Sequence, residues 1–278
     1  MNRLKGYYRD KVVLITGGSS GIGLALAQQL AADGARVWLM ARRKKVLEAA
    51  FRELPGVDGQ RGGILPADVS DWEQIQAAVM RMEREVGAPD LLVNSAGETY
   101  PGYVQELPLE IFEKLMAINY LGTVYATRAV LPGMIARGSG HIVNLSSITG
   151  FLGIFGYTAY GATKYAVRGF SDALRAEVKP LGVRVSIAFP PDTDTPQLAY
   201  ENEFKPPETK ALSGNAGVLS PQAVADEILR GVARGRYVIL PGLEAKLFYR
   251  LSNLIGNAVY PLMDWLVRDA RRSANTKK

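Results

Sequence analysis

Short apolar runs punctuate most of the chain, at 12–15, 35–40, 63–67, 91–93, 142–145, 183–188 and 237–240. Most are apolar at consecutive positions rather than at alternate ones. A strand buried on both faces reads this way, as in a parallel sheet covered by helices. Between the runs the apolar positions take helical spacing. Leu24, Leu26, Ala27, Leu30 and Ala31 share one stripe, and 46–54 reads as a helix ended by Pro55. Asp71 opens and Gly87 closes an amphipathic stretch over 71–86. Long helical periodicity runs over 109–134 and again over 159–178. Strand and helix therefore alternate, which predicts an α/β fold with right-handed crossovers.

The pattern fails from 190 to 220, where proline and polar residues dominate; it reads as a long loop of the kind that is functional or disordered. Helix resumes at 221–233, with Ser220 as N-cap and Pro221 at the first helical position. Residues 243–270 read as helical again. The chain divides into a main domain over 1–242, including the 190–220 loop, and a helical extension with a basic tail over 243–278.

Composition narrows the chemistry. There is no cysteine, so disulfides and thiolate metal sites are excluded. The single histidine, His141, precedes an apolar run and reads as a strand-edge residue; multi-histidine metal sites are excluded. Formal net charge is +6, and 243–278 alone holds seven basic and three acidic residues. That mixture of bases with Leu, Phe, Tyr and Trp suits an interfacial helix. The first ten residues are polar and basic, with no secretory signal, and no apolar run reaches the length of a membrane span.

Three stretches carry candidate chemistry. Thr16-Gly17-Gly18-Ser19-Ser20-Gly21-Ile22-Gly23 lies between the first predicted strand and the first helix, where glycines let a pyrophosphate approach the backbone. The second strand ends in Ala41-Arg42-Arg43-Lys44-Lys45. A carboxylate there would hold a free ribose hydroxyl; Arg42 and Lys45 favour a 2′-phosphate instead, hence NADPH. Asp68, after the third strand, is placed to accept from an adenine amino group or to cap the next turn. Asn94-Ser95-Ala96-Gly97 ends the fourth strand with residues small enough for a ribose to pack on. Tyr160 and Lys164 stand one helical turn apart, so the ammonium is expected to lower the phenol pKa and fit it for proton transfer to a carbonyl oxygen.

In this order and spacing, Thr16 to Gly23, Asn94 to Gly97, Asn119, the serines before the tyrosine and the Tyr160/Lys164 pair resemble the short-chain dehydrogenase/reductase family over residues 10–240. The resemblance implies a Rossmann-type, doubly wound parallel sheet of seven strands flanked by helices, here with a C-terminal helical extension. It implies hydride transfer with a nicotinamide cofactor. Tyr160 would be the proton donor, Lys164 its partner on the ribose, and Asn119 the holder of a relay water. Ser147, thirteen residues before the tyrosine, fits the family spacing for the residue that orients the carbonyl; Ser146 is the alternative. Val69, Pro190, Thr193 and Thr195 join the implied cofactor contacts.

Pro190-Pro191-Asp192-Thr193-Asp194-Thr195-Pro196 departs from the family's usual Pro-Gly pattern. With the text at 201–214 and 150–170 it is similar to the 3-ketodihydrosphingosine reductases, which reduce a long-chain sphingoid ketone (3-dehydrosphinganine to sphinganine) with NADPH. This implies a long-chain keto lipid as substrate, with Asp192 and Asp194 as candidate partners of its ammonium. The family resemblance also implies a homodimer or homotetramer, and no nucleic-acid partner is expected; the missing signal and span point to a cytoplasmic protein, and the mixed aromatic and basic composition of 243–272 to peripheral membrane contact. Reduction of another lipid-like ketone, oxoacyl thioester, steroid or aldehyde is the alternative.

Overall fold

The protein, seen in a computed structural model, is described over residues 6–56, 62–213 and 217–276, with side chains as far as 272. Residues 1–5 and Lys277 and Lys278 of the basic tail lie outside the described residues. Strands and helices alternate as β1 (Val12–Thr16), α1 (Gly21–Ala32), β2 (Arg36–Ala41), α2 (Lys44–Arg52), β3 (Gly62–Pro66), α3 (Trp72–Val86) and β4 (Leu91–Asn94). There follow α4 (Leu109–Leu115), a π-helical segment (Met116–Leu121), α5 (Gly122–Arg137), β5 (Gly140–Leu145), α6 (Thr158–Val178) and β6 (Val183–Ala188). The chain ends through α7 (Pro196–Phe204), α8 (Pro207–Ser213), α9 (Pro221–Ala233), β7 (Val238–Ile239), α10 (Gly242–Ile255) and α11 (Val259–Thr276).

The seven strands form one parallel sheet in the order β3-β2-β1-β4-β5-β6-β7. The consecutive apolar runs are explained by its two covered faces. Val13, Ile15, Val37 and Leu39 point into a core shared with α1, α2 and α9. Their neighbours Val12, Leu14, Trp38 and Met40 point into the opposite core, under α3, α5 and α6. The strand order reverses between β1 and β4, all strands staying parallel, and a crevice opens there at the carboxyl ends of the strands.

Three expectations change. The helix foreseen over 109–134 is broken by the π segment, which swings buried Asn119 inward; such bulges recur at functional sites. The 190–220 stretch is not a plain loop, because it holds α7 and α8. Thr195 caps α7 by accepting from Leu198 N at 3.2 Å, with Pro196 following, the same signature as Ser220-Pro221. His141 is not an edge residue. It is buried in the interior strand β5, with Nε2 2.7 Å from Ser186 Oγ, and burial keeps its pKa down at about 4.

Helix α10 fastens onto the end of the sheet, and α11 packs on α8. Phe151, Phe189 and Tyr249 pack ring to ring, with Phe151 edge-on to both partners at 5.2 and 5.1 Å. Each such pair adds about 1 kcal/mol beyond its buried area. Ala245 and Phe248 complete the cluster, so α10 is held against the ends of β6 and β7.

Candidate active site

The glycine turn is built for close approach. Gly17 has φ +67°, and a Cβ there would lie 2.7 Å from Ala96 Cα; a Cβ on Gly23 would lie 2.4 Å from Gly17 O. Gly21 leaves room for Thr195, whose Cγ2 would be 3.1 Å from a Cβ. Thr16 Oγ1 accepts from the amides of Ser95 and Ala96 at 3.2 Å and locks the end of β4 beside the turn. Ser20 precedes α1 without a side-chain capping bond, which leaves the helix's first amides to a ligand.

A groove of about 560 Å³ runs over this turn. Gly17, Ser19, Ser20, Arg42, Asp68, Val69, Ala96 and Gly97 line it, and so do Glu98 and Thr99. The hydroxyl of buried Thr99 has no protein partner among the described residues. The cradle, the uncapped helix start and the orphan hydroxyl fit a dinucleotide. Beside the end of β2 in this groove Arg42 pairs with Glu98 and lies 3.9 Å from Asp68. Glu98 also meets Lys114 at 2.7 Å. Burial works against the Glu98 carboxylate, but Lys114 and Arg42 together keep its pKa below the ordinary value. Asp68 Oδ1 accepts from Ser70 N and Oγ at 2.9 and 2.7 Å, a turn-capping role.

Two residues expected at the cofactor stand elsewhere. Lys45 is exposed on α2 and does not line the groove. Asn94 is buried, and its amide donates to Thr127 Oγ1 and Asn144 Oδ1 at 3.1 and 2.8 Å. It ties β4 to β5 and α5 instead of facing outward.

A second cavity, of about 260 Å³, adjoins the groove at Gln197 of α7, which lines both. Ser147, Tyr160, Lys164, Pro190, Asp192, Thr193, Thr195 and Ile22 reach it. Both serines, Ser146 and Ser147, line this cavity, but their hydroxyls have different partners. Ser147 lies beside the Tyr160 phenol and works to lower its pKa, while its Oγ accepts from Thr149 N at 3.3 Å. Ser146 is buried and donates to Lys164 O at 3.0 Å, so its hydroxyl is committed to α6. Asp194 is exposed and outside the cavity lining; Asp192 lines it.

Lys164 is 6% exposed and donates to Leu145 O at 3.0 Å, with Nζ 5.5 Å from the centre of the Tyr160 ring. Burial lowers its pKa from 10.5 to about 8. The expected fall in the Tyr160 pKa does not occur in the protein alone. Burial and the charge of Glu201 raise it, Ser147 opposes them, and Asp192 adds to the rise. Asn119 Oδ1 accepts from Glu98 N at 2.8 Å, and Nδ2 donates to Glu98 O and Thr163 Oγ1, both at 2.9 Å. A Cβ on Gly97 would sit 3.2 Å from Asn119 Oδ1 and 3.6 Å from Lys164 Nζ, so the two polar groups converge on that glycine.

Sequence patterns missed Glu98, Thr99, Thr149, Gln197, Glu201, Lys205 and Glu244, all near these two sites. Glu201 and Lys205 had a signal, opposite charges four apart, hidden because their helix was read as a loop. Glu244 had none.

The chain matches the short chain dehydrogenase family over residues 11–206, and it belongs to that family. A short chain dehydrogenase from Burkholderia cenocepacia J2315, solved in complex with NADP, superposes with a TM-score of 0.77 at 25% identity, covering 92% of this chain and 98% of that one. Among characterised relatives, the 3-ketodihydrosphingosine reductase of Mus musculus is 42% identical over 87% of this chain and 73% of its own length. The enzyme of the same name in Dictyostelium discoideum is 36% identical over 90% of this chain and 79% of its own.

Proposed function

We propose that the protein reduces the ketone of a long-chain amino ketone, 3-ketodihydrosphingosine, to the alcohol with NADPH. The observation that carries this reading is the meeting of Ser147, Tyr160 and Lys164 in a largely apolar cavity that adjoins a dinucleotide groove. The likeness to the mouse and Dictyostelium enzymes supports the choice of ketone, and the NADP-bound neighbour supports the cofactor.

In this reading Gly17, Ser19, Ser20, Ala96 and Gly97 hold the dinucleotide, with Arg42 turned from Glu98 to a 2′-phosphate. Bound NADPH supplies a hydride to the carbonyl carbon. Ser147 donates a hydrogen bond to the carbonyl oxygen. Tyr160 gives its proton to that oxygen as negative charge develops, and its raised pKa keeps the proton in place until then. Lys164, charged below about pH 8, offers its ammonium to the ribose and to the phenolate left on Tyr160. Asn119 fixes the Gly97-Glu98 turn beside Lys164, where a relay water would sit. Asp192, Thr193 and Thr195 shape the substrate side.

Purified protein with NADPH should turn over 3-ketodihydrosphingosine faster than a steroid, an aldehyde or an oxoacyl thioester. Failure to oxidise NADPH with any long-chain ketone would overturn the reading.

The segment from 243 onward serves as wall and contact surface. Met263 and Leu266 of α11 line the cavity, while Tyr260 and Trp265 of the same helix are exposed at 66% and 56%. No helix among the described residues is long and apolar enough to cross a membrane. The reading therefore includes peripheral contact with the cytoplasmic face of a bilayer, tested by vesicle flotation with and without Trp265→Glu. It also includes pairing of two copies through α4–α5 and α6, tested by solution mass.

A further inference from the structure

The cavity beside Tyr160 carries more charge than an apolar chain needs. Asp192 follows β6, Glu201 lies on α7 and Glu244 on the first turn of α10; all three line it. Lys164 shares the lining but donates to Leu145 O; the buried cation that pairs with Glu201 and Asp192 is Lys205. Lys205, with its side chain 2% exposed, has Nζ 3.0 Å from Glu201 Oε1 and 3.7 Å from Asp192 Oδ2. Tyr157 also donates to Glu201, at 3.1 Å. Glu201 is thus matched, whereas Asp192 has only a share of Lys205. Glu244 is raised first by burial and then by the charge of Asp192, so these two carboxylates feel each other across the cavity. Like charges held together in a partly dry site favour a cation between them.

An independent observation points to a ligand with a polar head. Thr149 is 5% exposed and lines the same cavity, yet its hydroxyl has no hydrogen-bond partner among the described residues. Buried hydroxyls are nearly always paired, by protein, water or ligand. The rest of the wall is apolar, with Leu152, Ile154, Leu212, Phe248, Met263 and Leu266. The cavity therefore offers acid and hydroxyl groups near Tyr160 and hydrocarbon beyond them.

Resting on the reductase reading above, we infer that Asp192 and Glu244 form an ammonium subsite, braced by the Glu201–Lys205 pair, with Thr149 meeting the hydroxyl of an amino-alcohol head. The subsite selects ketones that carry a primary ammonium beside the carbonyl. Burial and then Glu201 hold the Tyr160 proton most tightly, but Asp192 adds to the hold, and a cation beside Asp192 would offset that part, so it aids the chemical step as well as binding. Selection then appears in kcat and not only in KM.

The test uses the whole protein, NADPH and three ketones of equal chain length: the free amine, its N-acetyl derivative and the deamino ketone. The wild type should favour the amine over both neutral ketones by roughly 50-fold in kcat/KM, as expected of charge-assisted contacts. Glu244→Gln and Asp192→Asn should each cut that ratio by about tenfold, with part of the loss in kcat. Asp194→Asn, outside the cavity, should leave the ratio in place. Glu244 is partly exposed, so its amide variant should fold, and the wild-type comparison needs no variant at all. Equal use of amine and deamino ketone by the wild type overturns the subsite and leaves the reductase reading standing. Variants that lower all three ketones in proportion overturn it too, by showing a structural role. If none of the three is reduced, the reductase reading itself falls, and the subsite with it.

Discussion

The groove over the glycine turn and the cavity beside it share a border, but they are made of different material. The groove rests on backbone. Its decisive features are missing side chains at Gly17 and Gly23, an uncapped helix start and the amides that Thr16 arranges. Those features lie mostly within a few residues of one another. The cavity is made of side chains, gathered from the ends of β5 and β6, from α6 and the segment before it, and from α7, α8, α10 and α11. A ligand common to many relatives can be held by main chain and left alone by sequence change. A ligand particular to one enzyme needs side chains that can vary, and here they sit on the latest parts of the chain.

The sharpest test of that division is the residue on the border. Tyr160→Phe should lower kcat by 10²–10⁴-fold, the usual worth of a positioned acid. NADPH binding, followed by nucleotide fluorescence, should stay close to wild type. A parallel loss of NADPH affinity would mean that groove and cavity are not separable at this point.

Lys164 yields a smaller but measurable effect. The unfolded chain keeps this proton to about pH 10.5 and the folded one only to about 8. Between those values the unfolded state binds more protons, so stability rises with pH, by about 3 kcal/mol from this group. Lys164→Met should therefore be more stable than wild type at pH 7, by roughly 2 kcal/mol after the loss of the bond to Leu145 O. The gain should shrink as pH climbs from 8 to 10.5, read by denaturant unfolding. Activity should fall throughout. A variant less stable than wild type at pH 7 would show that the buried ammonium is well compensated.

The mildest change belongs to the groove alone. Arg42→Ala should raise KM for NADPH by about tenfold, the worth of one charge-assisted contact, and barely alter KM for NADH. Equal effects on the two cofactors would remove the 2′-phosphate from the account.

Much of the groove was legible in the sequence because its cause is local. A strand run, a glycine turn and a helical stripe are adjacent, and the two-sided burial of Val12 to Ile15 shows directly as an unbroken apolar run. Tyr160 and Lys164 were legible for the same reason, being one turn apart. The direction of the Tyr160 shift was not, since it is set first by burial in the folded protein and then by Glu201 and Asp192, 41 and 32 positions away in the chain. Nor was the commitment of Ser146 to Lys164 O, which only the fold of α6 against β5 decides. The π segment around Asn119 was hidden because its apolar spacing still reads as one helix over 109–134. Glu98 was missed although it directly follows the Asn94–Gly97 stretch; its meaning depends on Arg42, just after β2, and Lys114 of α4.

The place of α10 and α11 in the cavity wall has a consequence for synthesis. The groove is composed of residues 17–200, while the cavity waits for Glu244, Phe248, Met263 and Leu266. A chain emerging from the ribosome would have the means to shelter a nucleotide before it could admit a lipid. Proteolytic trimming from the carboxyl end would reverse only the second step, leaving a nucleotide-binding remnant with an open side.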